Sequence, residues 1–294
     1  MSPVEIPANP AAAGEGAARS VLKQRILTAT ALAALLLAGM FLLANIVWAL
    51  LMCIPAALAA LEWGRLAGYR RSGSLLFIAI VTATCLGFMV LGASAPPLST
   101  PAAAAAVFLY LLALLFWTIA VPLWLYRGWR VRQPLFLGAV GWMVLVPAWL
   151  AIVSLQKSAQ LLLAVLLAVW IADIAAYFAG RSFGRRKLAP QISPGKTWEG
   201  VIGAFAAVLI YGFVASFVLQ PSANFYDRLI MMVFVSALTV LSIVGDLFES
   251  WIKRVAGAKD SGALLPGHGG LLDRIDSLTA ALPFAALYFL PALW

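Results

Sequence analysis

Charge is scarce in this chain. Asp, Glu, Lys and Arg make up 11% of its 294 residues, where a soluble domain carries about 25%. Histidine is scarcer still, with His268 the only one, and there are two cysteines. Cys53 and Cys85 lie far apart inside apolar runs and read as small buried side chains rather than a disulfide. A zinc site of Cys and His ligands is thereby excluded. A phosphate loop of the Walker type is also missing. The run Ser193-Pro-Gly-Lys-Thr197 lacks its GxxxxGK[ST] spacing and the strand before it. No internal repeat is visible.

What fills the chain is apolar. Hydrophobic residues make up 64% of it, and the mean hydropathy is +1.00. So much apolar surface cannot be hidden in one aqueous core. Runs of about 18 or more apolar residues recur, each long enough to cross about 30 Å of hydrocarbon as a helix. The expected fold is an all-α, polytopic integral membrane protein with about nine spans. They fall near 25–43, 46–62, 74–92, 103–126, 134–153, 160–180, 199–219, 228–247 and 278–294. The Ala/Gly/Pro-rich residues 1–24 read as a disordered tail. The first run is too long for a cleaved signal peptide and reads as retained. Residues 25–155 read as N-terminal membrane helices. Residues 156–294 read as a catalytic membrane region with loops at 181–198 and 248–277.

The basic residues set the orientation. Eighteen of the twenty Lys and Arg fall in the N-terminal segment and in alternate connections, and only Lys157 and Arg228 fall on the other side. The positive-inside rule then places the N-terminus and every basic segment in the cytoplasm. Topology accounts for the net charge of +9 without nucleic-acid binding.

Seven of the eleven acidic residues lie in the second half, at or near the cytoplasmic face: Asp173, Glu199, Asp246, Glu249, Asp260, Asp273 and Asp276. Asp173 lies inside an apolar span, where an acidic side chain costs about 2.5–3.5 kcal/mol on insertion scales and is a functional candidate. The bland alternative is a helix–helix hydrogen bond or an ion pair. Asp246, Glu249, Ser250 and Lys253 recur at three- and four-residue spacing and share one helix face. Asp273 and Asp276 are three apart. Like charges so placed repel and call for something positive. Mg²⁺ is suited to a few carboxylates plus substrate phosphates, while a capped helix start is the alternative. Glu62 reads only as the end of a span.

A glycine-rich run, Pro266 to Gly270, holds His268 and allows close backbone approach to an anion. A second polar segment, Arg181 to Gly200, mixes five basic residues with Gly and Pro. Both segments lie on the face that carries the carboxylates. Together they suggest a polyphosphate held between them, against the alternative of plain positive-inside loops.

The stretch S-W-I-K-R-x4-K-D-S-G-x-L-L-P-G-H-G-G-L-L-D-R-I-D-S, Ser250 to Ser277, resembles the defining motif of the phosphatidate cytidylyltransferases over 28 contiguous residues. The upstream D-x-x-A-Y-x-x-G…F-G…K-L-A-P-x-x-S-P-G-K-T-W-E-G, Asp173 to Gly200, resembles that family's other well-kept segment. Ile174 stands where many members carry a hydroxyl. The first 150 residues resemble the family mainly in hydropathy.

The resemblance implies transfer of a cytidylyl group from CTP to phosphatidate, with Mg²⁺, at the cytoplasmic face of the inner membrane, by a homodimer. It implies that Asp246, Asp273 and Asp276 hold the metal, with Asp173 adding to or orienting the site. Lys253, Arg254, Lys259 and Arg274 would neutralise phosphates, and Asp260 belongs to the same catalytic group. Ser193, Lys196 and Thr197 would bind phosphate from the other segment, and Gly267, His268, Gly269 and Gly270 would form a nucleotide-phosphate loop. The alternatives are a cytidylyltransferase for another lipid phosphate and, further off, a transporter. A transporter would tend to spread its carboxylates near the midplane. The DGxxAR…GxxxDxxxD run of CDP-alcohol phosphotransferases does not occur.

Overall fold

The computed structural model describes residues 30–31, 33–92, 100–219, 221–264 and 269–293. The expected disordered tail, Gly267 and His268 lie outside them. Helices dominate: α1 (Ala33–Leu42), α2 (Asn45–Leu66), α3 (Arg71–Val90), α4 (Pro101–Leu115), α5 (Val121–Arg127), α6 (Pro134–Leu155), α7 (Ala159–Phe183), α8 (Trp198–Leu219), α9 (Phe225–Val255), α10 (Leu272–Tyr288) and the short α11 (Leu290–Leu293).

Among the described residues, six stretches are long and apolar enough to cross a membrane: α2, α3, Pro101–Arg127, Pro134–Phe183, α8 and α9. The fourth holds two expected spans, α6 and α7, joined by a 3-10 turn at Gln156–Ser158. The span expected at 25–43 is described as a helix over α1 and at residues 30 and 31 before it. The one expected at 278–294 is instead the 17-residue α10, beginning at Leu272. One π-turn, Phe116–Ala120, joins α4 to α5. It sits just before Pro122, which lacks an N–H and whose ring crowds the preceding turn.

α10 is the central post of the bundle, in contact with α2, α4, α6, α7 and α9. Its buried face is rich in small residues, Ala280, Ala281, Ala285 and Ala286 among them, which lets neighbouring backbones come close. At Gly245 of α9, an added Cβ would lie 2.6 Å from the Asp276 carbonyl oxygen. That glycine sets α9 directly against the first turns of α10 and places Asp246 beside Asp276.

α9 starts with a reciprocal cap. Asn224 accepts the Asp227 N–H at 3.0 Å, and Asp227 accepts the Asn224 N–H at 3.0 Å. Its 31 residues span about 46 Å, more than the hydrocarbon thickness, so its charged end clears the apolar layer. Phe248 anchors it edge-on against Phe116, Trp117 and Trp124. The indoles of Trp124 and Trp251 both donate to the Trp129 carbonyl, at 2.7 and 2.9 Å.

One short piece among the described residues is not helical. Lys187–Ala189 (β1) and Ser193–Thr197 (β2) form an antiparallel hairpin, with Lys187 opposite Thr197. Two groups outside the strands hold it, one adjacent and one far away in sequence. The Glu199 carboxylate accepts the N–H groups of Arg185 and Arg186 at 3.0–3.2 Å, and Arg254 donates to the Ile192 carbonyl at 3.3 Å. The Thr197 hydroxyl accepts the Gly200 N–H at 3.1 Å and caps α8.

Candidate active site

The helix face expected on α9 is there. Ser250 donates to Asp246 at 3.3 Å, and Lys253 lies 3.5 Å from Glu249, each pair one helical turn apart. From this face two lysine contacts reach other elements. Lys196, on β2, sits 2.6 Å from Asp246. Lys253 sits 2.5 Å from Asp273 at the start of α10. Asp173 comes in from α7, where its carboxylate accepts a long 3.5 Å bond from the Ser277 hydroxyl. The Ser277 N–H donates to Asp276 at 2.8 Å. Three helices and the hairpin thus bring Asp173, Lys196, Asp246, Glu249, Lys253, Asp273 and Asp276 together.

The cluster has two layers. Asp173, Lys196 and Asp246 are open to solvent at least in part. Glu249 is 4% exposed, and its side chain lies against that of Asp276. Asp273 is well partnered. Besides Lys253 it accepts the N–H groups of Ser261, at 3.0 and 3.2 Å, and of Gly270, at 2.9 Å. Burial alone would raise its carboxyl, but the Lys253 ammonium and those N–H groups outweigh burial and hold it below the usual range. Asp276 goes the other way. Burial first, and then the charge of Asp246, pushes it above the usual range. Asp246 repels Asp173 as well, and Lys196 is the cation acting on both. Of these five carboxylates, Asp246, Glu249 and Asp273 stand in ion pairs, with two lysines between them. Negative charge is in excess in a partly dry place, a state that favours binding a cation or a proton.

The other expected residues are placed as follows. Arg254 donates to Ile192 and Ala258 carbonyls and ties the hairpin to the end of α9. Lys259, Asp260 and Arg274 are exposed on the same side. Ser193 lies in β2, half-buried. Thr197 is buried, its hydroxyl turned to the α8 cap. Gly269 has a φ of 83°, which L side chains rarely adopt.

One residue was missed. Glu62, near the end of α2, is fully buried and accepts three hydrogen bonds from the polar motif: from the Ser261 hydroxyl at 2.9 Å and from the N–H groups of Leu271 and Leu272 at 3.0 and 2.9 Å. The signal was present. An acidic residue inside an apolar helix needs a partner, as argued for Asp173, and Arg65, three positions on, is not the one it takes.

Comparison with known proteins agrees in extent. The pattern of the Cytidylyltransferase family matches residues 23–291. A phosphatidate cytidylyltransferase of Pseudomonas aeruginosa is 44% identical over 280 residues, 91% of this chain and 97% of its own. One of Haemophilus influenzae is 35% identical over 293 residues, 92% of this chain and 99% of its own. One of Brucella suis is 54% identical over 123 residues, 42% of this chain and 43% of its own.

Proposed function

Because the chain belongs to the cytidylyltransferase family, we propose that it transfers a cytidylyl group from CTP to phosphatidate, giving CDP-diacylglycerol and pyrophosphate. A phosphate oxygen of phosphatidate attacks the α-phosphorus of CTP. The new P–O bond forms as the bond to the β-phosphate's bridging oxygen breaks, and pyrophosphate leaves with that electron pair. A phosphomonoester has a second pKa of about 6, so it already carries a nucleophilic oxygen at neutral pH. No protein nucleophile is needed, and the work of the residues is positioning and charge neutralisation.

The observation that carries this reading is the Lys196–Asp246 contact. It joins the polar segment Arg181 to Gly200 to the carboxylate face of α9, on the open side of the cluster. In the proposal Lys196 leaves Asp246 for a substrate phosphate, and Arg254, Lys259 and Arg274 neutralise phosphates from the rim. Lys253 stays with Asp273 and Glu249 and keeps the floor in register. Exposed Ile174, Tyr177 and Phe178 stand beside Asp173 on α7, a surface suited to the apolar part of a lipid.

Mg²⁺ belongs to the proposal. Among the described residues no three acidic, His or Cys side chains converge as a ready-made metal cage. The donor chemistry nevertheless fits, since the excess charge is all hard carboxylate oxygen, and Mg²⁺ favours one or two carboxylates completed by phosphates. Asp246 and Asp276 would hold the ion, with Asp173 beside them, while Asp273, its oxygens already engaged, would orient α10. When bound, the ion supplies charge neutralisation on the transferring phosphates. We place the site on the cytoplasmic face of the inner membrane, with about nine crossings and the N-terminus inside, on the support of the alternating basic segments.

The test is pyrophosphate release by the purified protein in detergent, with Mg²⁺, phosphatidate and each of CTP, UTP, ATP and GTP. Release with CTP alone, and only with phosphatidate present, is expected. Release without lipid, or equally with every nucleotide, would sink the reading.

A further inference from the structure

We propose that Glu62 is a positioning residue for the transfer reaction, a carboxylate supplied by the N-terminal helices to fix the loop and first turn that present Asp273 and Asp276. The inference rests on the cytidylyltransferase reading. A buried carboxylate is costly unless hydrogen-bonded. Glu62 is 0% exposed, and its three donors are the Ser261 hydroxyl and the N–H groups of Leu271 and Leu272. The last two belong to the start of α10, where a helix leaves its first N–H groups without partners. α10 has no side-chain cap of its own at Leu271. Glu62 of α2 is that cap, and its sign suits the helix N-terminus.

The same loop residues face two carboxylates. Ser261 gives its hydroxyl to Glu62 and its N–H to Asp273. Gly270 gives its N–H to Asp273, while its Cα faces Ser261 and Glu62. A Cβ there would meet the Ser261 Oγ at 1.9 Å and the Glu62 Oε2 at 2.7 Å. A Cβ on Gly262 would meet the Glu62 Oε1 at 2.5 Å. Gly262 and Gly270 thus make room for this carboxylate. A continuous chain of contacts runs from Glu62 through Ser261 and Gly270 to Asp273, and on to Lys253 and Glu249. Displacing its first link displaces the rest.

The experiment compares Glu62→Gln and Ser261→Ala with the wild type, full-length and in detergent. Two readouts are taken: steady-state pyrophosphate release, and hydrogen exchange over residues 269–272. Glutamine keeps the size of Glu62 but turns one acceptor into a donor that faces an N–H. The expected result for Glu62→Gln is a fall in kcat of about 100-fold, the scale of a small misplacement of reacting groups. KM for CTP and for phosphatidate should stay within about threefold, the pattern of an interaction that matters in the transition state. Exchange over 269–272 should quicken. Ser261→Ala, a milder loss of one donor, should lower kcat by about tenfold, and the double variant should be no worse than Glu62→Gln alone. An unchanged kcat in either single variant overturns the proposal, and so does a lost kcat with unchanged exchange. If Glu62→Gln fails to accumulate, Ser261→Ala decides. If the wild type itself releases no pyrophosphate, the functional reading falls, and exchange alone still decides whether Glu62 holds the loop.

Discussion

Two polar networks sit in this apolar bundle, and they are built on opposite terms. The one at the α6–α7 turn is neutral and complete. Asn45 donates to the Val153 carbonyl and to the Gln156 side chain, both at 2.8 Å. Gln156 donates in turn to the Met40 and Leu43 carbonyls at 3.1 and 3.0 Å. It ties α1, α2 and α6 together, and each amide hydrogen it uses has a carbonyl to meet. The network around Asp246 is charged and incomplete. Carboxylates outnumber the lysines paired with them, and buried Glu249 lies against a second acidic side chain, Asp276. A satisfied network holds a fold. An unsatisfied one stores a demand for something that is not part of the chain, and functional sites are where such violations are tolerated.

The largest expected break in this contrast is Asp246→Asn. Removing the carboxylate shared by Lys196 and the cluster should lower pyrophosphate release by about a thousandfold, the upper range for losing one preorganised electrostatic group. The amount of folded protein in the membrane should not change. A variant retaining a tenth of the activity, a loss of about tenfold, would remove Asp246 from the chemistry.

Lys253→Met should damage both fold and activity, because it leaves Asp273 and Glu249 unpaired in a poorly hydrated place. Breaking a buried pair costs about 3–5 kcal/mol, to be read as a lower melting temperature in detergent. Gln156→Leu sharpens the contrast from the other side. It should cost about 1–3 kcal/mol of stability through the orphaned partners, while kcat of the surviving protein stays at the wild-type value. A loss of kcat there would show that the two networks are coupled. The smallest effect is expected of Glu249→Gln. Removing one charge from an overfull cluster should raise stability by about 1 kcal/mol, seen as a small rise in melting temperature. A fall would mean that Glu249 is better compensated than its geometry shows.

How much of this could be read in the sequence depends on the range of each contact. The α9 face was legible, since Asp246–Ser250 and Glu249–Lys253 are one turn apart and helical geometry alone brings them together. Asp173 was legible from its cost inside an apolar span. The same spacing carries the helix past the close of the apolar run near 247, and α9 continues to Val255; what the spacing does not show is that Lys253 meets Asp273 of α10 there. The hairpin was hidden for a similar reason. The run Ala189-Pro-Gln-Ile-Ser-Pro194 reads as turns, and it becomes paired strands only when Glu199 and Arg254 hold its flanks. Glu62 was the hardest to place. Nothing local in Leu61-Glu-Trp63 points to a loop two hundred positions away.

That separation also has a consequence in time. Ser261 follows Glu62 by 199 positions. At a synthesis rate of about 5–20 residues per second, the donors for Glu62 are made about 10–40 s after it. Over that interval α2 carries a carboxylate among apolar neighbours with none of its final partners yet in existence. The N-terminal helices must therefore wait at a depth where water or lipid headgroups can reach position 62. All three donors to Glu62 come with the last 34 of the 294 residues.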